Sequence, residues 1–260
     1  MTGEGNNTYL LVGADGSATL VDAGIGESRH LAAIEQSLRE HAARLDRVLV
    51  THGHPDHALG AVALAAQHPG ARFYKHPWPS QDPRYDVPWQ TLDEGSRMPV
   101  GDEWLTVLLT PGHSPDHAAF WHEASGTIFT GDLIVSGTTV MIDASKGGDL
   151  IQYLGSLERV RALAPSRLLP AHGPEVADPG RLLTLYVEHR MRREQQVAAS
   201  LAAGHDTVEG IAESIYHGLS PALMPAAREN VRAHLEKLRR EGRAVNDARD
   251  ARDGGRWRPS

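Results

Sequence analysis

The chain has 260 residues, of which 40% are apolar and 23% are charged, and its formal net charge is −7. This length allows one large domain, or a large domain followed by a small one. The chain has no cysteine, which excludes a disulfide framework and any metal site built on thiolates. No apolar run approaches the roughly 20 residues that span a bilayer. Residues 1–4 lack the basic and apolar segments of a secretory signal, so we expect a cytoplasmic protein with no membrane partner.

The charge is distributed unevenly along the chain. Residues 1–178 hold 12 Lys/Arg against 22 Asp/Glu, whereas residues 179–260 hold 14 against 11. An acidic N-terminal part does not attract a polyanion through its long-range field. The charge pattern therefore disfavours RNA as a substrate without excluding it.

The N-terminal part alternates short apolar runs with stretches of helical periodicity. The pattern predicts strands at residues 9–12, 18–21, 47–50, 72–74, 105–109, 127–129 and 167–169, and helices at 28–43, 58–67 and 150–163. Residues 76–98 are rich in Pro, Asp and Trp and predict a long surface loop, of the kind that often forms a substrate wall. This order predicts an α/β fold in which two sheets pack face to face with helices outside them.

The segment Asp178-Pro179-Gly180 predicts a boundary between a catalytic domain, residues 1–178, and a small domain, residues 179–260. Beyond the boundary, the pattern predicts helices at 181–203, 207–217 and 221–241, then strands at 243–246 and 256–258 around Asp253-Gly254-Gly255. Three helices followed by a hairpin are the layout of a winged helix, which is an α+β fold.

Two interpretations of this small domain remain open. It contacts nucleic acid through basic residues on the wing side, or it is a packing or dimerising module with a solvated charged face. The excess of basic residues is small, and three aspartates in the predicted wing favour packing. The basic residues are Arg239, Arg240, Arg243, Arg256 and Arg258, and the aspartates are Asp247, Asp250 and Asp253.

The most informative segment is Thr51-His52-Gly53-His54-Pro55-Asp56-His57, which directly follows an apolar strand. Alternation places His52 and His54 on the same side of an extended backbone. Asp56 and His57 open the next helix and point back from a different direction. Imidazole suits zinc, and carboxylate suits hard or borderline dications. Two groups of ligands from two directions predict two metal ions.

Three later segments repeat the same layout of an apolar strand, a Gly or Pro turn, and a metal-ligating side chain. They are Pro111-Gly112-His113, Thr130-Gly131-Asp132 and Ala171-His172-Gly173. One cluster of histidines arises easily by chance in a chain with 15 of them. Four segments with the same layout indicate instead that the strand ends converge on one site.

The order HxHxDH, His, Asp, His resembles the metallo-β-lactamase-fold hydrolases over most of residues 6–173. The resemblance implies an αββα sandwich and a two-zinc site. It implies that one zinc binds His52, His54 and His113, that the other binds Asp56, His57 and His172, and that Asp132 bridges both. No cysteine replaces a ligand, so the chain departs from the cysteine-containing group of true β-lactamases.

Three further segments resemble the β-lactamase-like protein 2 subgroup of this family: residues 5–13, 136–140 and 189–196. The resemblance implies a small C-terminal winged-helix-like domain. It also implies two different activities, because animal members are regarded as endoribonucleases on single-stranded RNA, whereas microbial relatives include thioesterases of polyketide pathways. The substrate therefore stays open at this point.

The chemistry follows from the expected metal pair. Two zinc ions about 3.5–4 Å apart lower the pKa of a shared water, and the hydroxide attacks carbon or phosphorus. Manganese or iron would suit the same nitrogen and oxygen ligands. We expect Asp56 to orient the hydroxide as well as to bind metal. His117 is a proton donor to the leaving group or a hydrogen-bond partner of the ligands, or else a strand-end histidine with a structural hydrogen bond.

Five other residues are weaker candidates for the site, each with a structural alternative. Asp22 follows a strand end and is expected to accept a hydrogen bond from a ligand imidazole. Thr138 and Thr139 either line the pocket or pack in a turn. His189 and Arg190 either meet a substrate anion or form a salt bridge on a helix face.

Three hypotheses of function follow. The first is hydrolysis of a small-molecule or acyl substrate that is an ester, thioester or lactone, and the second is phosphodiester cleavage of single-stranded RNA. The third is a nucleic-acid-binding module with a vestigial metal site, which the complete ligand set disfavours. The missing export signal disfavours β-lactam hydrolysis. Glyoxalase II activity is disfavoured because Gly53 stands where that enzyme has a histidine. A homodimer is compatible with the sequence.

Overall fold

The computed structural model describes residues 5–247 and 255–260. Its strands are β1 Tyr9–Val12, β2 Ser17–Val21, β3 Arg44–Leu49, β4 Arg72–Lys75, β5 Trp89–Thr91, β6 Arg97–Val100, β7 Glu103–Leu109, β8 Ala118–His122, β9 Thr127–Gly131, β10 Arg167–Pro170, β11 Ala244–Asn246 and β12 Trp257–Pro259. Its α-helices are α1 Ser28–Glu40, α2 Pro55–Ala58, α3 Gly60–Gln67, α4 Leu150–Ala162, α5 Pro179–Ala202, α6 Val208–Ile215 and α7 Met224–Arg240. Among these helices, none is both long enough and apolar enough to cross a membrane.

The chain divides into two compact units. The first contains Met1–Pro111, Asp116–Val140 and Arg159–Gly180, and the second contains Gly112–Pro115, Met141–Glu158 and Arg181–Ser260. The predicted boundary after residue 178 stays a prediction, because the second unit also takes in two earlier segments of the chain.

Two five-stranded sheets form the first unit. One has the order β1-β2-β3-β4-β5, in which only the β1–β2 pair is antiparallel. The other has the order β10-β9-β8-β7-β6, in which only the β10–β9 pair is parallel. The parallel strands β2, β3 and β4 place their carboxyl ends along one edge of the first sheet.

Alternating apolar side chains of the first sheet fill two cores. Leu20, Val48 and Phe73 belong to a cluster with residues of α1 and α3. Val21 and Leu49, the next residues along β2 and β3, belong to a cluster with residues of the second sheet. Since successive side chains of a strand point to opposite faces, this sheet is covered on both sides. The α/β sandwich predicted from the sequence is the arrangement observed.

The second unit contains α6, α7, the two-stranded sheet β11–β12, and most of α4 and α5. Its own core holds side chains from three helices and both strands: Val197, Leu201, Val208, Ile211, Ala212, Val231, Leu235, Leu238, Ala244 and Trp257. Helices followed by a hairpin fit the predicted winged helix. Asp250, Asp253 and Gly254 of the predicted wing lie outside the described residues.

Some predicted elements are wrong in extent. The predicted loop at 76–98 contains a 3₁₀ turn at 82–84, the strand β5 and the start of β6. The strand β8 was not predicted at all. The predicted helix at 58–67 is two helices, separated at Leu59. The break brings Gly60 so close to the Ala23 carbonyl that a Cβ would lie 2.0 Å from its oxygen. The predicted helix at 28–43 ends at Glu40, before Ala42 adopts a positive φ of 48°.

Candidate metal centre

The segment after β3 changes direction at a proline. His54 has extended backbone angles, φ −73° and ψ 147°, as expected for a residue before proline. Pro55 occupies the first turn of α2, where a fixed φ suits a helix and the missing N–H costs nothing. Asp56 and His57 therefore lie on the helix while His52 and His54 precede it. The local sequence itself creates the two directions of approach.

His57 is completely buried and has a defined tautomer. Its Nδ1 donates to Asp22 Oδ2 at 2.8 Å, which leaves Nε2 with the lone pair. Asp22, at the end of β2, is itself oriented by the N–H and hydroxyl of Thr51, at 2.8 and 3.0 Å from its Oδ1. Burial lowers the pKa of His57, but the carboxylates of Asp22 and Asp132 outweigh burial and raise this pKa well above its usual value. Two carboxylates thus favour a cation at Nε2 of this imidazole, either a proton or a metal ion.

One oxygen of Asp56 and one of Asp132 lie near the Nε2 atoms of both His57 and His172. His57 Nε2 lies 3.7 Å from Asp56 Oδ2 and 3.5 Å from Asp132 Oδ1. His172 Nε2 lies 3.4 and 3.3 Å from the same two oxygens. Burial raises the pKa of Asp56. Its hydrogen bond with His172 and the charge of His57 lower this pKa by more, so the net pKa is below its usual value. The cluster thus combines two imidazoles with two carboxylates.

These spacings fit a metal ion. In a tetrahedral site with metal–ligand bonds of about 2.0–2.2 Å, neighbouring ligand atoms lie about 3.3–3.6 Å apart. The buried Nε2 of His57 has no hydrogen-bond partner among the described residues. An unpartnered buried polar atom is costly unless another group satisfies it, and a cation would satisfy this nitrogen.

A second group of donors adjoins the first. His52 Nε2 and His54 Nδ1 face each other at 2.9 Å. Ligand atoms of His52, His57 and Asp132 all lie within 4.8 Å of one another, so Asp132 is close to both groups. His113 belongs to the second unit, where its Nδ1 donates to the Met141 carbonyl at 2.9 Å. That bond leaves Nε2 as its acceptor nitrogen, and its ligation beside His52 and His54 stays a prediction.

His117 has a supporting geometry rather than that of a proton donor. It is completely buried, and its Nε2 accepts the Asp132 N–H at 3.0 Å. Its Nδ1 therefore carries the proton and donates to Thr110 Oγ1 at 2.8 Å. A histidine with both ring nitrogens bonded in this way has no proton to offer a leaving group. The geometry favours the alternative, in which His117 holds the backbone of Asp132.

The remaining predicted residues are not part of this cluster. Thr138 and Thr139 are exposed in the segment that follows Asp132. Arg190 is buried within the second unit, where its guanidinium contacts Asn230 Oδ1 at 3.2 Å and lies over the Tyr153 ring. His189 is half-buried beside it, and burial together with neighbouring arginines lowers its pKa. A substrate role for these four residues stays a prediction.

Several supporting contacts of the site were not predicted from the sequence. The Asn6 side chain donates to the Asp56 carbonyl at 2.5 Å, and Asn7 donates to the Pro170 and Gly173 carbonyls, on either side of His172. Both asparagines lie in the segment that resembles the family, and polar residues just before a strand were the available signal. No pattern in the sequence indicates their partners, which lie 50 or more positions away.

An αββα sandwich with imidazole and carboxylate donors at its strand ends is typical of metal-binding hydrolases. The chain belongs to the metallo-β-lactamase superfamily, whose family model matches residues 1–172. Residues 207–257 match the β-lactamase-associated winged helix domain. The fold class and the family resemblance predicted from the sequence are thereby confirmed.

Relatives extend this assignment. The β-lactamase-like protein 2 homolog of Drosophila melanogaster is 29% identical over 255 residues, which cover 94% of this chain and 85% of that protein. The atrochrysone carboxyl ACP thioesterase of Aspergillus fumigatus is 32% identical over 203 residues, which cover 76% and 60%. A crystal structure of a β-lactamase domain protein from Burkholderia ambifaria has a TM-score of 0.80 and 26% identity, and the match covers 98% and 87%. The chain is thus a hydrolase of this superfamily.

The contact between His57 and Asp22 leads to a specific prediction. Asp22→Asn keeps the size but removes the charge and leaves one acceptor oxygen where Thr51 and His57 use two, so the tautomer of His57 is no longer held. We expect metal affinity to fall about 10–100-fold, as for other outer partners of ligating histidines. Competition with a chromophoric chelator measures the affinity, with Asp143→Asn as a control at a carboxylate that pairs with Lys146. Unchanged affinity in Asp22→Asn would refute the orienting role.

Proposed function

We propose that this chain is a binuclear-metal-dependent hydrolase of an acyl thioester, ester or lactone. The observation that carries the chemistry is the four-donor cluster of Asp56, His57, Asp132 and His172, with its 3.3–3.7 Å spacings. Zinc is the first choice of ion, and manganese or iron would suit the same donors. The fungal relative named as an ACP thioesterase supports the acyl substrate.

The side chains of the cluster have separate tasks in this proposal. A bound pair of metal ions would lower the pKa of a shared water and polarise the substrate oxygen. Asp132 lies near both donor groups and would be shared by them. The Asp56 carboxylate, whose pKa is lowered, stays ionised and accepts a hydrogen bond from a nucleophilic water. Asp22 and His117 hold His57 and Asp132 in place from behind.

The electrostatics of the second unit support an acyl substrate over RNA. Four of the five basic residues expected on the wing side form ion pairs within this unit. The pairs are Arg239 with Glu236, Arg240 with Asp149, Arg243 with Glu194 and Glu241, and Arg256 with Asp206. Paired arginines release fewer counterions on contact with phosphates, so they contribute less to nucleic-acid affinity. The fifth, Arg258, is exposed.

A substrate panel tests the proposal. We expect metal-loaded protein to hydrolyse short acyl thioesters at least about 100-fold faster than bis(p-nitrophenyl) phosphate, with esters and lactones between them. In parallel, single-stranded RNA binding is measured at 50 and 200 mM salt. Six to ten phosphate contacts would reduce affinity for a single strand by roughly 10²–10⁴-fold across this range, whereas we expect weak binding that depends little on salt. Fast phosphodiester cleavage with steep salt dependence would replace the acyl proposal by the RNA alternative.

A further inference from the structure

Gly53, between the two histidines His52 and His54, is held at both of its backbone polar groups. Its N–H donates to Asp116 Oδ2 at 2.7 Å, and its carbonyl accepts the Tyr85 hydroxyl at 2.8 Å. Both contacts are buried, and they fix the two peptide groups through which His52 and His54 are joined. The direction of both imidazoles therefore depends on these two bonds.

Asp116 is held in turn by a buried cation. Lys75, at the end of β4, is 1% exposed, and its Nζ lies 2.9 Å from Asp116 Oδ2 and 2.7 Å from Asp82 Oδ1. The same Nζ donates to the His76 carbonyl at 2.6 Å. A buried ion pair contributes little net stability, because desolvation offsets the Coulomb attraction. We therefore expect this network to act on the geometry of the site rather than on the free energy of unfolding.

The segment that carries Asp82 and Tyr85 packs against the same glycine, Gly53. A Cβ on Gly53 would lie 3.2 Å from Asp116 Oδ2 and 3.5 Å from the Trp78 ring. The Trp78 N–H is fixed by Asp82 Oδ2 at 2.7 Å. The backbone between the two histidines is thus enclosed by side chains from β4, from the segment after it and from the residues just before β8. No motif of metal ligands contains any of these side chains.

We propose that Lys75, Asp82, Tyr85 and Asp116, together the Gly53 clamp, are positioning residues that hold His52 and His54 in ligating geometry and set the metal affinity there. The inference rests on the metal site of the proposed function and not on its substrate. The clamp residues touch no substrate in this account. They act through the backbone of Gly53, so we expect their loss to lower metal affinity in protein that still folds.

Two substitutions test the clamp. Lys75→Met removes the cation, and Tyr85→Phe removes only the hydroxyl that binds the Gly53 carbonyl. Each has a matched control in the second unit. Lys237→Met breaks another buried lysine with two carboxylate partners, Glu194 and Glu241, both at 2.6 Å. Tyr216→Phe removes a hydroxyl that accepts from Asn230 at 2.7 Å.

Metal-free full-length proteins are titrated with Zn²⁺ against a chromophoric chelator, and the d–d spectrum of each Co²⁺-loaded protein is recorded. We expect the dissociation constant of one ion to rise about 10–100-fold in Lys75→Met and about 10-fold in Tyr85→Phe, with a changed Co²⁺ spectrum. Both controls should keep wild-type affinity, even where thermal stability falls. If Lys75→Met does not fold, the metal affinity of Tyr85→Phe alone tests the clamp.

Wild-type affinity and an unchanged spectrum in Tyr85→Phe and in any folded Lys75→Met would overturn the clamp. Equal loss of affinity in the controls would also overturn it, because the effect would then be one of general stability. The result is independent of the substrate. A protein that binds metal normally but hydrolyses no thioester would refute the proposed function and leave the clamp intact.

Discussion

Replacing Asp132 with alanine is expected to lower metal occupancy and hydrolysis more than any other single substitution, while the chain stays folded. Its Oδ1 lies 3.5 Å from His57 Nε2 and 3.3 Å from His172 Nε2, and a carboxylate oxygen of Asp132 lies within 4.8 Å of the His52 donor. Loss of an outer partner costs about 10–100-fold in affinity or activity. Loss of a carboxylate that lies near two donor groups should lower affinity and activity by more than that factor.

The measurement combines metal content after dialysis, hydrolysis of an acyl thioester, and circular dichroism as a check of the fold. Asp46→Ala is the matched control, because Asp46 is a partly exposed carboxylate whose partner is Arg44. The control should keep both metal and activity. An Asp132→Ala protein with wild-type turnover would refute the bridging position, whereas an unfolded one calls for Asp132→Asn, which keeps the shape of the side chain.

Metal removal is the second large effect. Chelation should abolish hydrolysis, because no serine or cysteine nucleophile forms part of the described donor cluster. Without a cation, Asp56 and Asp132 repel each other, and His57 takes up a proton because its pKa is raised well above normal. An ion present at about 100 times its dissociation constant stabilises the folded state by about 2.7 kcal/mol. For a chain of this size, its loss corresponds to a Tm lower by about 5–10 °C.

Calorimetry and activity assays on the chelated protein test this expectation, and Zn²⁺, Mn²⁺ and Fe²⁺ are added back separately. The ion that restores both Tm and turnover at the lowest concentration is the best candidate for the native one. Addition of Mg²⁺ serves as the control, because that ion prefers oxygen ligands in octahedral geometry. Full activity after complete chelation would exclude the metal-dependent mechanism.

The elements nearest the site were the easiest to predict from sequence. Strong alternation and short apolar runs predicted β2, β3 and β10, whose ends carry Asp22, His52 and His172. The order of the ligands along the chain indicated the family, and the resemblance extended to the winged helix. Local sequence also explains the turn at His54 and Pro55, since proline restricts the backbone of the residue before it.

Elements that depend on tertiary contacts were not predictable in the same way. The strand β5 has only three residues, and it pairs in parallel with β4 inside a segment whose prolines and aspartates indicate a loop. The Asp116 side chain contacts Lys75 and Gly53, 41 and 63 positions away. His117 was open to several interpretations because its tautomer depends on the Asp132 N–H, which the sequence does not place beside it.

The basic residues of the second unit also have tertiary contacts that the sequence does not predict. The sequence predicts a cluster of arginines on the wing side, which is typical of nucleic-acid binding. In the described residues, four of them pair with carboxylates, and three of these arginines have a partner that is distant along the chain, such as Asp149 for Arg240 and Asp206 for Arg256. Net charge alone therefore overestimates the positive surface, and the weaker case for RNA depends on these pairs.

The most direct test of the account is the location of bound metal in crystals of the protein by anomalous diffraction at the absorption edge of the ion. The account predicts two ions. One contacts Asp56, His57 and His172, the other contacts His52, His54 and the predicted ligand His113, and Asp132 lies between them. An ion located away from these side chains, or no ion bound after saturation with Zn²⁺, Mn²⁺ and Fe²⁺, would contradict it.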